Sequence, residues 1–376
     1  MSGPETKHHL NVLHVLTLNG RNGEYGGPVR VARELCTELN KRGYATQIFS
    51  GALFDSIPIP MAGLAERFVV VKPINQNLPV SSLWSWELIK PLHKMIKNSD
   101  LIHIHFARDL IPFMAALISI ILRKPFVTQT HGMITSDGRL STRFLDIFFT
   151  RPIINRSRTN FVLTQIELSA ISNLRIKTPS RILPNGIAVK DSVKSISNLR
   201  KRVVFCSRLE KRKGIEKFIE LADTFRDSAI NFEIYGPDGG DLALVLTEIE
   251  SRNLFGILEY KGALQAHQVQ EMISEIDLLV LPSKDEPFPM VILEAMAVGT
   301  SVLIMPSCGF AKDLANFEPK FVAYTEDITG LFSNFQKQLD DGFHSKSRNT
   351  ILSFCNESFD ISSVVDRLVE SYKNAI

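Results

Sequence analysis

The sequence predicts an α/β protein made of two doubly wound parallel sheets in series. Three observations carry this. Apolar runs of strand length alternate with segments whose apolar residues recur at helical spacing. The alternation restarts near Arg202, as a second domain would. A chain of 376 residues, 44% hydrophobic and 22% charged, supplies two cores of ordinary size.

Taken in order, residues 12–16 read as a short buried strand and 20–27 as a glycine-rich turn. Residues 28–42 have helix periodicity, with Pro28 suited to the first helical position and Gly43 to the end. Residues 46–49, 68–71, 101–104, 126–129, 161–164 and 182–183 read as further strands, with helical patterns between many of them. The longest apolar run, 110–122, contains Pro112 and falls short of the ~18 residues that span a bilayer, so it reads as a buried helix. The second half gives strands at 203–205, 232–235, 257–260, 278–281 and 302–304. Helices are expected at 214–225, 242–251, 267–276 and 290–297. A polar stretch, 187–200, reads as the linker. The expected division is a first domain at 1–190, a second at 191–357, and a final segment, 358–376, with an apolar helical stripe at Val364, Val365, Leu368, Val369 and Tyr372.

Composition narrows the function. Cys36, Cys206, Cys308 and Cys355 are widely spaced, which argues against a disulfide framework or a zinc site and fits a reducing cytosol. No cationic segment followed by an apolar core opens the chain, so no cleaved signal peptide is expected. Charge is divided unevenly. Residues 1–190 hold 23 Lys and Arg against 12 Asp and Glu, and the remainder holds 20 against 28. A basic first half points to an anionic partner. Membrane phosphate or a lipid-linked acceptor fits better than nucleic acid, for which no reader motif is present.

The most informative feature is a pair of glutamates eight positions apart, Glu286 and Glu294. They follow the strand at 278–281 and run into a helix, so both can face one crevice at a strand's carboxyl end, where open α/β sheets bind ligands. Two carboxylates there can grip the hydroxyls of a sugar and of a ribose. The second domain opens with a strand, then a loop holding Arg208 and Lys213, then Gly214 and a helix. Loop cations beside a helix N-terminus make a receptacle for a diphosphate, although a solvated basic loop would look alike. Gly26 and Gly27 precede a helix in a pattern that is neither a dinucleotide fingerprint nor a P-loop. His131 stands in Thr130-His131-Gly132 at a strand's end; His105 is the better site candidate of the alternating pair His103 and His105, and His103 reads as a packing residue. Asn185 and Gly186 are first of all a turn signal.

Together these pieces resemble the retaining glycosyltransferases of family 4, from about Leu13 to the C-terminus. The resemblance implies the GT-B fold, two Rossmann-like domains whose parallel sheets face a central cleft, with the last helix crossing back to the first domain. It implies that Arg208 and Lys213 bind the diphosphate of a nucleotide-sugar, UDP- or GDP-linked, and stabilise the leaving group. It places Glu294 on the ribose and Glu286 on the donor sugar. Gly26, Gly27, Phe288, Pro289, Met290 and Val291 lie at the donor, with His131 near the donor sugar and acceptor. His105 and Asn185 are assigned to the acceptor side. Catalytic roles fall to His131, Glu286, Arg208 and Lys213. Placed cations suit a reaction whose leaving group gains negative charge, and no Asp-x-Asp motif is present, so neither metal nor cofactor is expected.

Pro287 and Pro289 depart from the glycines common after the first glutamate, and a proline offers no N–H. The loop of Ser307, Cys308, Gly309 and Phe310 is also atypical and carries no assigned role. The expected reaction is retaining, hexosyl-type transfer to a polysaccharide, glycolipid or lipid-linked acceptor in cell-surface glycan synthesis, such as that of lipopolysaccharide. A nucleotide-sugar 2-epimerase and a catalytically silent nucleotide-sugar-binding protein are the alternatives. Arg139, Arg143, Arg151, Arg156 and Arg158 interleave with Leu140, Phe144, Phe148, Phe149, Ile153 and Ile154, interrupted by Asp146. That pattern suits an anionic membrane surface and a cytoplasmic location at the inner face of the plasma membrane.

Overall fold

The structure is a computed structural model in which residues 10–21, 26–73, 82–134, 140–189, 201–341 and 345–376 are described. The chain forms two compact units, one comprising 1–186 with 361–376 and the other 187–360. The linker core expected at 190–200, including the 190/191 division, lies outside the described residues, as does Arg139.

In the first unit the elements run β1 (Asn11–Leu18), α1 (Gly26–Lys41), β2 (Ala45–Ala52), β3 (Ala65–Val70), β4 (Lys72–Pro73), β5 (Leu83–Trp84), α2 (Ile89–Asn98), β6 (Leu101–His105) and α3 (Leu110–Ile121). They continue with β7 (Phe126–Gln129), α4 (Leu140–Leu145), a π-helical turn (Asp146–Thr150), α5 (Arg151–Ile154), β8 (Asn160–Val162), α6 (Gln165–Ser172) and β9 (Ser180–Ile182). Seven strands form one parallel sheet in the order β3-β2-β1-β6-β7-β8-β9, and β4 and β5 form a small hairpin apart from it. The order reverses between β1 and β6, so the carboxyl ends of these two strands flank the switch point at which such sheets take ligands.

Strand periodicity sorts the buried residues onto two faces. Leu13, Val15, Ile102 and Ile104 pack with Leu92 and Ile96 of α2 and with Ile111, Ala115 and Ile118 of α3. Leu16 and Ile48, of opposite parity, pack with Ala32 and Cys36 of α1. The last helix, α14 (Ile361–Lys373), belongs to this unit. Arg42, just past α1, donates to the Ser362 carbonyl and hydroxyl at 2.8 and 2.7 Å and pairs with Asp366. Gly186 sits against the start of α14, where an added Cβ would meet the Ile361 Cα at 2.9 Å.

Two expectations change here. Helix α1 starts at Gly26, so Gly26 and Gly27 are its first two residues and not a loop before it. Pro28 is the third helical residue, which is tolerated because first-turn N–H groups have no intrahelical acceptor. In the basic-aromatic stretch, Asp146, Ile153 and Ile154 turn inward. Asp146 is held by Arg108 through two bonds of 2.8 and 2.9 Å, so it takes no charge from the surface.

The second unit runs β10 (Lys201–Cys206), α7 (Ile215–Thr224), β11 (Ile230–Tyr235), α8 (Leu242–Ser251), β12 (Leu258–Gly262), α9 (Ala266–Ser274), β13 (Leu278–Leu281), α10 (Met290–Ala297) and β14 (Ser301–Ile304). After it come α11 (Ala311–Phe317), α12 (Ile328–Asp340) and α13 (Ser345–Phe359). Its five strands are parallel in the order β12-β11-β10-β13-β14. Here the switch point lies between β10 and β13, whose carboxyl-end loops carry the cations and the two glutamates respectively.

Candidate active site

In the second unit, β10 ends at Cys206 and its chain continues through Arg208 to a 3-10 turn at Lys211–Lys213. Gly214 then takes a left-handed conformation (φ +72°) and starts α7. A Cβ there would lie 2.1 Å from the Pro282 carbonyl oxygen, so only glycine lets the cation loop press against the loop after β13. Lys284 N–H donates to the Arg212 carbonyl at 2.9 Å and joins the same two loops.

This packing brings the predicted charges together. Lys213 Nζ lies 2.7 Å from Glu286 Oε2, and Arg212 Nη1 lies 3.2 Å from the same oxygen. Both partners of the Lys213–Glu286 pair are largely buried, which strengthens their attraction relative to a surface pair. The ammonium has three donors and Glu286 uses one. Glu294 is buried in α10, and its charge together with burial pushes the Cys206 thiol up to about 12, burial being the larger cause. Arg208 is exposed and lies along the loop after β11, with its Cγ 2.8 Å from where a Gly239 Cβ would stand. Gly236 (φ +147°) has no room either, since a Cβ would lie 1.8 Å from the Ser207 carbonyl oxygen.

The loop after β14 that had no assigned role braces the Glu286 turn. Gly309 N–H donates to the Glu286 carbonyl at 2.9 Å, and Asp285 N–H donates to Ser307 Oγ at 2.9 Å. Ser307 N–H in turn donates to Glu326 Oε1 at 2.5 Å. Asp285 adopts φ +50°, a left-handed conformation uncommon outside glycine and held here by these bonds. Pro289 is the extended residue preceding α10. Phe288 is buried against Phe310 and Phe359 at ring-centroid distances of 5.0 and 5.5 Å. Its ring therefore belongs to the core, and only its main chain is available for a ligand; Met290 and Val291 open the helix and are half-buried.

In the first unit, His131 follows β7 with φ +51°. Glu167 holds this turn: it accepts from Thr130 Oγ1 at 2.5 Å, Gly132 N–H at 2.6 Å and Leu163 N–H at 2.7 Å. Burial raises the Glu167 carboxyl above its ordinary range, against the pull of those three bonds. His131 Nε2 lies 2.7 Å from His105 Nδ1, and His105 Nε2 lies 3.0 Å from His14 Nδ1. His103 also enters this group, stacked on His105 with ring planes 6° apart and 4.7 Å between centroids. It packs, as expected, and it also bonds through Nδ1 to the Tyr372 hydroxyl at 2.6 Å. Asn185 is buried at the turn after β9.

His14, His103 and His105 bring one ring nitrogen each within 4.8 Å of the others, the spacing of a metal triad. The stacking argues against that use. Two parallel imidazoles present their lone pairs in parallel planes, and one ion cannot lie in both.

Several of these groups were invisible to sequence reading. Arg212, Gly236, Gly239 and Glu326 are ordinary loop residues until the loops meet. His14 and Glu167 look like a lone histidine in an apolar strand and a helical surface acid. The one available signal was that Gly236 and Gly239 follow a predicted strand in the second sheet.

Gly26, Gly27, His105, His131 and Asn185 thus belong to the first unit, and Arg208, Lys213, Glu286, Phe288, Pro289, Met290, Val291 and Glu294 to the second.

Known proteins resemble the chain across this whole arrangement. The pattern of Glycosyltransferase Family 4 matches residues 25–191, and that of Glycosyl transferases group 1 matches 190–351. An N,N'-diacetylbacillosaminyl-diphospho-undecaprenol α-1,3-N-acetylgalactosaminyltransferase of Campylobacter jejuni is 30% identical over 139 residues, 37% of this chain and 35% of that enzyme. That match spans about a third of the relative's length. TuaC of Bacillus subtilis, assigned as a glycosyltransferase of teichuronic acid biosynthesis, is 24% identical over 364 residues, 82% of this chain and 90% of the relative. Among solved structures, HepE of Anabaena in complex with UDP and glucose superimposes with a TM-score of 0.76 at 17% identity, covering 97% of this chain and 100% of that one. Two parallel α/β units, the two matched patterns and these likenesses agree: the chain belongs to the family 4 glycosyltransferases of the GT-B fold.

Proposed function

We propose that this glycosyltransferase moves a hexosyl group from a nucleoside-diphosphate-sugar to a lipid-linked or glycolipid acceptor in cell-surface glycan synthesis, with retention and without a metal. The observation that carries the reading is the Lys213–Glu286 pair at the switch point of the second sheet, 2.7 Å apart, with Arg208 in the same loop. In the reaction the bond from the anomeric carbon to the diphosphate oxygen breaks and a bond to the acceptor oxygen forms. The acceptor hydroxyl's proton passes to the departing phosphate. Lys213 and Arg208 offset the charge that grows on the diphosphate, and Glu286 and Glu294 hold sugar and ribose hydroxyls. Two cations from the protein supply the charge a metal would otherwise bring. Relatives point to the acceptor class, since the Campylobacter enzyme is named for a diphospho-undecaprenol substrate and TuaC for teichuronic acid biosynthesis.

The test is turnover. UDP- and GDP-sugars, each with a polyprenyl-diphosphate-sugar acceptor, are assayed for nucleotide release with and without a chelator. Product anomers are assigned by NMR. Release that needs the acceptor, survives the chelator and retains the donor's anomeric configuration supports the proposal. Interconversion of the donor sugar without acceptor would favour an epimerase, and nucleotide binding without turnover a silent binding protein.

We also propose a peripheral membrane contact through the first unit, consistent with a place at the cytoplasmic face. Among the described residues no helix is long and apolar enough to cross a membrane. Phe144, Ile147, Phe148 and Phe149 are exposed on α4 and the π-helical turn, beside exposed Arg143. Phe149 stacks on Phe113 of α3 at 6.0 Å, and Leu117 and Ile121, exposed on the same helical face, extend the apolar strip. An apolar strip bordered by cations suits an anionic bilayer surface. Phe148→Ser with Arg143→Glu should abolish co-flotation with vesicles rich in anionic lipid and leave nucleotide binding intact. Unchanged flotation would end this part of the proposal.

A further inference from the structure

Between one face of the first sheet and α14 lie five buried polar rings in one connected group. His14, His103 and His105 stand there because they alternate with Leu13, Val15, Ile102 and Ile104, which fill the other face. Tyr372 of α14 reaches in, with its hydroxyl 2.6 Å from His103 Nδ1 and 3.5 Å from His14 Nε2. From His14 the group continues through His105 to His131 by contacts of 3.0 and 2.7 Å.

We infer that this chain holds His131 in a single tautomer, with the proton on Nε2, so that its Nδ1 meets the substrate as a hydrogen-bond acceptor. Burial keeps every ring neutral: His14 and His131 are pushed down to about 3, and His103 and His105 well below the usual value. A neutral imidazole carries one N–H, so each ring that accepts at one nitrogen donates at the other. The direction is set at Tyr372. A separation of 2.6 Å suits a hydroxyl donating to a bare nitrogen, and is short for an N–H donating to oxygen. The Tyr372 O–H therefore donates to His103 Nδ1, and its oxygen accepts from His14 Nε2–H at the longer 3.5 Å.

The remaining links follow. His105 Nε2–H donates to the bare His14 Nδ1, and His131 Nε2–H donates to the bare His105 Nδ1. Nδ1 of His131 is left without a proton. At the far end His103 keeps its proton on Nε2, which has no bonded partner. Gln129, the register neighbour of His105, likewise has a buried amide with no bonded partner. The opposite direction would make His131 Nδ1 a donor, and would ask the 2.6 Å contact to be an N–H···O bond.

The chemical consequence is specific. His131 accepts a bond from a sugar or acceptor hydroxyl, and its low basicity keeps it from removing the proton outright. Tyr372, His14 and His105 are positioning residues that act through His131. The catalytic part of this inference rests on the reading of His131 as the group that meets the sugar. The tautomer itself does not.

The test uses the full chain labelled with ¹⁵N-histidine. Long-range ¹H–¹⁵N correlation separates protonated from bare ring nitrogens, and His131→Gln identifies the His131 signals. In the wild type His131 should show a protonated Nε2 and a bare Nδ1 without averaging. In Tyr372→Phe the His131 signals should average between tautomers, and kcat should fall roughly tenfold, the size of one lost hydrogen bond, while the donor KM stays within about twofold. A protonated Nδ1 in the wild type overturns the proposal. So does a Tyr372→Phe protein that melts earlier but keeps the His131 tautomer. The wild-type spectrum decides even if the variant does not fold. It is independent of turnover, so failure to find a donor would count against the transferase reading and not against this one.

Discussion

Replacing Gly214 with alanine probes how the cation loop is held. The residue adopts φ +72°, a conformation that costs an L-residue about 1–2 kcal/mol. The added Cβ would fall 2.1 Å from the Pro282 carbonyl oxygen, where contacts under 3.0 Å essentially never occur. One loop must then move by about 1 Å, an overpacking strain of about 1–3 kcal/mol. The total is about 3 kcal/mol, which for a unit of this size lowers the melting temperature by about 6–12 °C. The same shift separates Lys213 from Glu286, and a misplacement of that size costs turnover about 100-fold. Thermal unfolding followed by circular dichroism, together with nucleotide release from the donor, measures both. A Gly214→Ala protein that melts within about 2 °C of the wild type and turns over at full rate would refute the claim that this contact sets the site.

Gly27→Ala is the complementary change. Nothing lies within 4 Å of a Cβ added there, so stability should stay within about 0.5 kcal/mol. Donor affinity, measured by calorimetry, should nevertheless fall if the diphosphate approaches this backbone, and unchanged affinity would remove Gly27 from the site. Stability should also depend on pH through the buried histidines. Their folded values are lowered, so the stability they contribute is complete above their unfolded value of 6.5 and is lost as pH falls toward about 3. At pH 5, His14 and His131 should each have cost about 2 kcal/mol, with His103 and His105 acting in the same direction. Melting temperatures taken between pH 7.5 and 5 should therefore decline steeply, and a flat profile would contradict neutral burial of the four rings.

What the sequence disclosed follows physical lines. Residues 126–129, 242–251, 278–281 and 290–297 form β7, α8, β13 and α10 with the bounds expected, because short strand-favouring runs or helical spacing are legible there in the residue types. Helix α13 went unread, since its apolar residues show weak periodicity. The start of α1 was placed two residues late because glycines count against a helix, although a first turn tolerates them. The two glutamates and the Lys213 loop were legible from residue type and position. The bond between Lys213 and Glu286 was not, because it joins residues 73 positions apart through loop packing. The histidine group was hidden for the same reason. His14 and Tyr372 lie 358 positions apart and meet only when α14 returns to the first sheet.

Calorimetric binding of UDP against UMP, and of GDP against GMP, to the wild type and to Lys213→Ala tests the central claim most directly. If Lys213 neutralises a pyrophosphate, one diphosphate binds well above its monophosphate in the wild type, and the alanine protein loses roughly tenfold or more of that preference. Equal binding of mono- and diphosphate, or a preference that survives the loss of Lys213, would contradict the account.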